Sequence, residues 1–163
     1  MRSEASPLQR AREVALRQLA AAPRTERQVR ARLQKAGLAE QADAVIGWLR
    51  DLGYLDDGAY ARGRARALVG SGRLGPRVAA RRLEQAGIAA GEARAAVAGA
   101  LQEVAPGGEA ALCRALAERR TRGTPLDRLD LRARARVARF LLGRGFSGAA
   151  VASTLGSFDG PDR

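Results

Sequence analysis

Apolar residues along this chain return every three or four positions, the spacing that lines one face of an α-helix. The clearest stripe is Val45, Trp48, Leu49 and Leu52, and within it Trp48 reads as a core residue. Three other stripes mark the helices around which the chain is organised: Val29, Leu33 and Ala36; Ala79, Leu83 and Ala86; and Ala133, Val137, Phe140 and Leu141. Each carries its own punctuation. Thr25 with Gln28 makes a capping-box pattern, Pro76 after Gly75 suits a first helical position, and Asp130 can cap the third helix, while Gly37, Gly87 and Gly145 serve as stops. No window sustains the apolar and polar alternation of a strand.

These three helices are copies of one pattern. The run Arg27 to Leu38 returns about fifty residues later as Arg77 to Ile88, and a looser copy follows at Arg136 to Phe146, so the chain reads as tandem helical units. An amphipathic segment precedes each copy (8–22, 57–70 and 108–122) and another follows it (39–52, 89–104 and 147–156). Nine helices in three trios result. The expected architecture is all-α, an elongated tandem array of three three-helix, helix-turn-helix-like repeats over 1–55, 56–105 and 106–156, with a flexible tail at 157–163 and fraying at 1–7. Short linkers at Leu55-Asp56-Asp57 and Ala105-Pro106-Gly107-Gly108 join the trios.

Composition strengthens the helical reading, because aromatics are only 4% of the 163 residues and any core must come mainly from Leu, Val and Ala. Charge adds a partner. The formal net charge is +12, and Lys35 is the sole lysine among 29 basic residues. Arginine presents a rigid, permanently charged fork suited to phosphate and carboxylate. The positive charge is sorted by helix: 24–38 carries +4, 73–88 carries +3 and 131–146 carries +5, whereas 39–57 carries −4. Arg27 and Arg30, then Arg77 and Arg81, then Arg132, Arg136 and Arg139 recur away from the apolar stripes, making three basic ridges suited to a phosphate backbone.

The residues that would carry catalysis are missing. Without histidine the commonest general base and metal ligand is gone. Lys35 is followed by Ala36, so no Walker A lysine-hydroxyl pair exists. Asp56-Asp57 reads as a helix cap rather than a metal site, and Cys113, flanked by Leu112 and Leu116, reads as a small core residue. The glycine-rich Gly70 to Gly75 stretch follows a helix rather than a strand and reads as an interhelical turn. No enzyme activity and no cofactor are expected. The start of the chain lacks the apolar run of a signal peptide, a single cysteine makes no intramolecular disulfide, and no membrane-spanning run occurs, so a cytoplasmic setting is expected.

Four stretches together resemble the RecX family of recombination regulators: Arg24 to Val29 leading to Leu33 and Gly37; Leu52-Gly53-Tyr54-Leu55-Asp56-Asp57-Gly58-Ala59-Tyr60-Ala61; Gly72 to Pro76 continuing to Leu83 and Gly87-Ile88; and Arg144 to Ser147. Their order and spacing span about residues 8–155. The third repeat departs from the pattern, lying 58 residues after the second rather than 50 and carrying both Gly143 and Gly145 at its turn. The resemblance implies a curved array of three-helix repeats lying along the groove of a RecA-type recombinase filament on DNA, restraining its growth or activity without catalysis. It implies a recombinase filament and single- and double-stranded DNA as partners, no membrane, and a monomer. The seven ridge arginines are the expected binding residues, with Tyr54 and Tyr60 as structural anchors between trios; Tyr60 has the alternative of stacking on a base.

A basic middle helix in a three-helix unit also suits a helix-turn-helix transcription regulator, which would read one defined duplex sequence. A plain interaction scaffold would bind no DNA even at low salt.

Overall fold

The computed structural model describes residues 6–156, and every regular element among them is helical. Nine α-helices follow in order: α1 (Pro7–Ala21), α2 (Glu26–Lys35), α3 (Ala42–Asp51), α4 (Asp57–Gly70), α5 (Pro76–Ala86), α6 (Ala90–Val104), α7 (Gly108–Thr121), α8 (Leu131–Gly143) and α9 (Gly148–Leu155). Short 3-10 turns at Ala39–Gln41 and Leu126–Arg128 precede α3 and α8.

The helix ends follow local chemistry. Thr25 and Gln28 form the reciprocal capping box of α2, Pro76 opens α5, and the Asp130 carboxylate accepts the Ala133 N–H at 2.7 Å. Asp56 caps α4 by accepting from Ala59. Ser6 and Gln9 form a second capping box that starts α1 at Pro7, so order begins before the expected fraying ends. Residues 1–5 and the tail from 157 lie outside the described residues.

Each trio closes on its own core. Ala11, Ala15, Val29, Leu33, Val45 and Leu49 fill the first; Ala65, Val69, Ala79, Leu83, Ala93 and Val97 the second; Cys113, Ala117, Val137, Leu141, Phe146 and Val151 the third. The leading helix of each trio contributes small residues, Ala11 and Ala15, Ala61 and Ala65, and Cys113 and Ala117, which allow close helix approach, while larger aliphatic side chains and Phe146 supply volume. Cys113 is fully buried, and burial pushes its thiol above the ordinary value, as a packing residue would have it. Leu112 touches both the second and third cores.

The expected stripes fray at their edges. Ala36 is the exposed C-cap of α2, Leu52 lies beyond the end of α3 and is exposed, and Ala86, Ala133 and Phe140 are half-buried. Trp48 is half-buried too, with the Arg12 guanidinium 4.6 Å from its ring centre. Half of the wider spacing of the third repeat is taken up in the α7–α8 connection, where 122–130 stand in place of the shorter 71–75 and the 3-10 turn buries Leu126 in the third core, and much of the rest in α8, which is longer than α5.

Middle helices of successive repeats meet end to end. The buried Thr25 hydroxyl, at the start of α2, donates to the carbonyl of Ala86 at the end of α5. At the other end of α5, the Gly75 N–H donates to the Arg144 carbonyl at 2.8 Å and the Arg77 N–H to Gly145 at 3.2 Å. Both junctions therefore use the carbonyl just before the stop glycine, Gly87 or Gly145, whose φ values of +109° and +93° suit glycine. The Asp57 carboxylate, reaching from α4, accepts the Glu26 N–H at 2.9 Å and secures the same end of α2. Burial, the largest influence, pushes the Asp57 carboxyl above its ordinary value, while this bond opposes the rise.

Thr25→Val keeps the shape but removes the hydroxyl that serves both the Ala86 carbonyl and the Gln28 N–H. It is expected to cost about 1–3 kcal/mol in urea unfolding, with Thr25→Ser retaining most of the stability. A loss within error of zero for the valine variant would show that the junction does not hold the repeats.

Candidate nucleic-acid interface

The seven arginines of the basic ridges lie on α2, α5 and α8, the helices joined at the two junctions, and all seven are exposed. On α8 the geometry is direct. At 3.6 residues per turn, Arg132, Arg136 and Arg139 fall within a sector of about 60°, opposite the buried Val137 and Leu141. Leu131, 76% exposed, and Leu142 run along one margin of that sector, so the ridge has an apolar flank. On α5, Arg77 and Arg81 point away from the buried Ala79, Ala80 and Leu83.

On α2 the two arginines differ. A Cβ placed on Gly87 would meet the Cβ of Arg27 at 2.6 Å, so the Arg27 stem packs across the first junction while its residue remains exposed. Arg30 forms an ion pair with Asp43 of α3 at 2.7 Å, so part of its charge is met within the first repeat. Arg27, Arg77, Arg81, Arg132, Arg136 and Arg139 have no ion-pair partner among the described residues. Two other pairs lie off the ridges: Arg50 with Glu26, and Arg66 with Glu103, whose hydrogen bond, with their charge attraction, holds the Glu103 carboxyl below its ordinary value and the Arg66 guanidinium above.

Several features of this surface escaped the periodicity. The Arg120 and Arg144 guanidiniums stand 5.3 and 5.1 Å from the Phe140 ring centre, adding two cations to the α8 region. Tyr54 is 60% exposed and anchors nothing; the buried Leu55 beside it enters the first core instead. Tyr60 does pack, half-buried, against the second core. No local signal marks the exposure of Tyr54, since the same glycine turn is followed by the buried Leu38, Ile88 and Phe146 in the other places where it occurs.

Among the described residues no group of His, Cys, Asp and Glu is placed to hold a metal ion, and no helix is long and apolar enough to cross a membrane. The arrangement offers charge and shape: a succession of exposed guanidiniums on rigid helices, able to bind phosphate oxygens or carboxylates in bidentate fashion.

Known proteins share this organisation. The family model for the first three-helix domain of RecX matches residues 11–49, and that for the third three-helix domain matches residues 108–155. The regulatory protein RecX of Streptomyces coelicolor is 33% identical over 143 residues, covering 86% of this chain and 73% of that protein. The crystal structure of RecX from Lactobacillus salivarius aligns with a TM-score of 0.75 at 21% identity, over 91% of this chain and 94% of that one. A second crystal structure, of a regulatory protein RecX, aligns with a TM-score of 0.73 at 26% identity, over 91% of this chain and 72% of that one. With this sequence identity carried over most of both chains and the three-helix repeats in place, the protein belongs to the RecX family of regulatory proteins.

Proposed function

We propose that this protein regulates homologous recombination and DNA repair by binding the filament that a RecA-type recombinase forms on DNA and lowering its ATP hydrolysis, growth or strand exchange. It acts by occupancy, without catalysis, as a cytoplasmic monomer. The observation that carries the reading is the joining end to end of α2, α5 and α8, the helices on which the exposed arginines lie. Such a surface suits a partner that is itself an extended nucleoprotein polyanion. Arg27, Arg30, Arg77, Arg81, Arg132, Arg136 and Arg139 are its contact residues, meeting phosphates of single- or double-stranded DNA and acidic groups of the recombinase.

The test is a titration of the protein into single-stranded DNA, bare and coated with a RecA-type recombinase and ATP, reading anisotropy and ATP hydrolysis together. Falling hydrolysis with preferential engagement of the coated filament is expected. Unchanged hydrolysis would sink the regulator, and tight binding to one defined duplex sequence would move the protein to the helix-turn-helix transcription regulators.

Reversing both Arg77 and Arg81 to Glu is expected to weaken filament and DNA binding by at least about tenfold, since a charge-assisted contact contributes about 1.5–3 kcal/mol. The slope of log affinity against log salt should fall by about 2, with helical circular dichroism unchanged. Undiminished binding at about 150 mM salt would remove α5 from the interface.

A further inference from the structure

Between the first and second repeats lies a cleft of about 690 Å³ that the ridges do not use. Pro23, Arg24 and Gln28 line it from the first repeat and Tyr60 and Arg64 from the second, with Tyr54 at the linker between them. We propose that this cleft binds an unpaired nucleobase of single-stranded DNA, with the Tyr54 ring as the stacking surface and Arg24 and Arg64 meeting the flanking phosphates. The inference rests on the reading of DNA as a partner.

The aromatic residues are few, and the described ones other than Tyr54 are covered. Phe146 is fully buried, Trp48 lies under Arg12, Phe140 under Arg120 and Arg144, and Tyr60 against the second core. Tyr54 alone among them leaves most of its surface open, at 60% exposure. It is nevertheless held firmly. Gly53, at φ +72°, stops α3, and the Tyr54 N–H returns to the Leu49 carbonyl at 2.9 Å, so the ring stands on a fixed turn rather than on a loop. An open aromatic face on a fixed backbone, flanked by cations, is how proteins take single-stranded nucleic acid.

The charged groups agree. Arg24, half-buried in the wall of the cleft, brings one guanidinium to it. Arg64 supplies a second guanidinium across the cleft. The one carboxylate in the lining, Asp56, already accepts the Ala59 N–H as the cap of α4. Arg24 and Gln28 flank Arg27 at the start of α2, so a strand whose phosphates follow the ridge passes the mouth of the cleft. A paired base must first give up its stack and its partner to enter, and that cost gives the site a preference for single strands.

The experiment compares two labelled oligomers of about 15 nucleotides, oligothymidylate and an abasic strand of equal length, by anisotropy against the native protein, Tyr54→Ala and Tyr54→Phe. Native protein and Y54F are expected to prefer the base-bearing strand by about tenfold. Y54A should bind both strands at the abasic level with its salt slope and circular dichroism unchanged. Light-induced cross-linking of a strand carrying iodouracil should map to Tyr54. Equal affinities of the native protein for the two strands would overturn the site, as would a preference that survives Y54A. Equal affinities with a Y54A defect confined to the recombinase-coated filament would assign the cleft to a protein segment instead. If neither strand binds, the cleft is overturned, and recombinase ATP hydrolysis measured with the same preparation decides separately whether the regulator stands.

Discussion

Phe146→Ala is expected to destabilise the third repeat by about 3–5 kcal/mol. Phe146 is the largest of the fully buried side chains, and it fills the third core beside Leu141, Val137, Val151 and Leu155. Its N–H returns to the Leu141 carbonyl at 3.2 Å, immediately after the Gly145 turn, so backbone and ring are both fixed and the surroundings have little freedom to collapse into the space left. Because each repeat closes on its own core, with Leu112 and the Gly75 junction linking the second and third, the loss should appear as an early unfolding phase in a urea titration followed by circular dichroism, with the first repeat least affected. Phe146→Leu should cost about 1.5 kcal/mol or less by comparison. A loss under about 1 kcal/mol for the alanine variant would remove Phe146 from the core that holds α8 to α9.

The second large effect belongs to a residue with no side chain. Gly75 has φ −81°, ordinary for any amino acid, so Gly75→Ala carries no intrinsic backbone strain and would be expected to stiffen the unfolded chain favourably. The surroundings reverse that sign. A Cβ there would lie 2.4 Å from both the Gly145 carbonyl carbon and the Phe146 nitrogen, backbone atoms with no side chain able to swing aside. The variant is expected to part the second and third repeats at a cost of about 3 kcal/mol, losing the bonds from Gly75 and Arg77 to the α8 end. Scattering should show an enlarged radius with helix content preserved, and, on the function proposed above, any inhibition of a recombinase should weaken because α5 and α8 no longer meet. Unchanged stability and radius would mean that the repeats do not meet at this junction.

Most of the helical framework was legible because it is written locally. The Val29–Leu33 and Val45–Leu49 spacings, the Thr25–Gln28 cap and the glycine stops all concern residues within one or two turns of each other. What escaped was of two kinds. Stripe edges depend on where a helix ends: Leu52 continues the spacing of α3 but lies past its last turn, and Tyr54 stays exposed after a glycine turn that elsewhere leads into the buried Leu38, Ile88 and Phe146. The other kind is distant pairing. Thr25 meets Ala86 across 61 positions of chain, and Arg30 meets Asp43 on a neighbouring helix; neither partner leaves a periodic trace. The sorting of charge by helix was readable, but the end-to-end joining of α8, α5 and α2 was not, because that rests largely on backbone groups at helix ends, which every residue type carries alike.

The junctions also settle the electrostatics of the stack. Each α-helix ends in unpaired amide and carbonyl groups equivalent to about half a unit charge, positive at its start and negative at its finish. Where α8 gives carbonyls to the amides of α5, opposite poles meet directly, whereas the positive pole of α2 is met by the Asp57 carboxylate beside the Thr25 junction. The poles left without a neighbouring repeat are the start of α8 and the end of α2. Asp130 stands at the first, and Arg32 and Lys35 at the second, the charges that each pole favours.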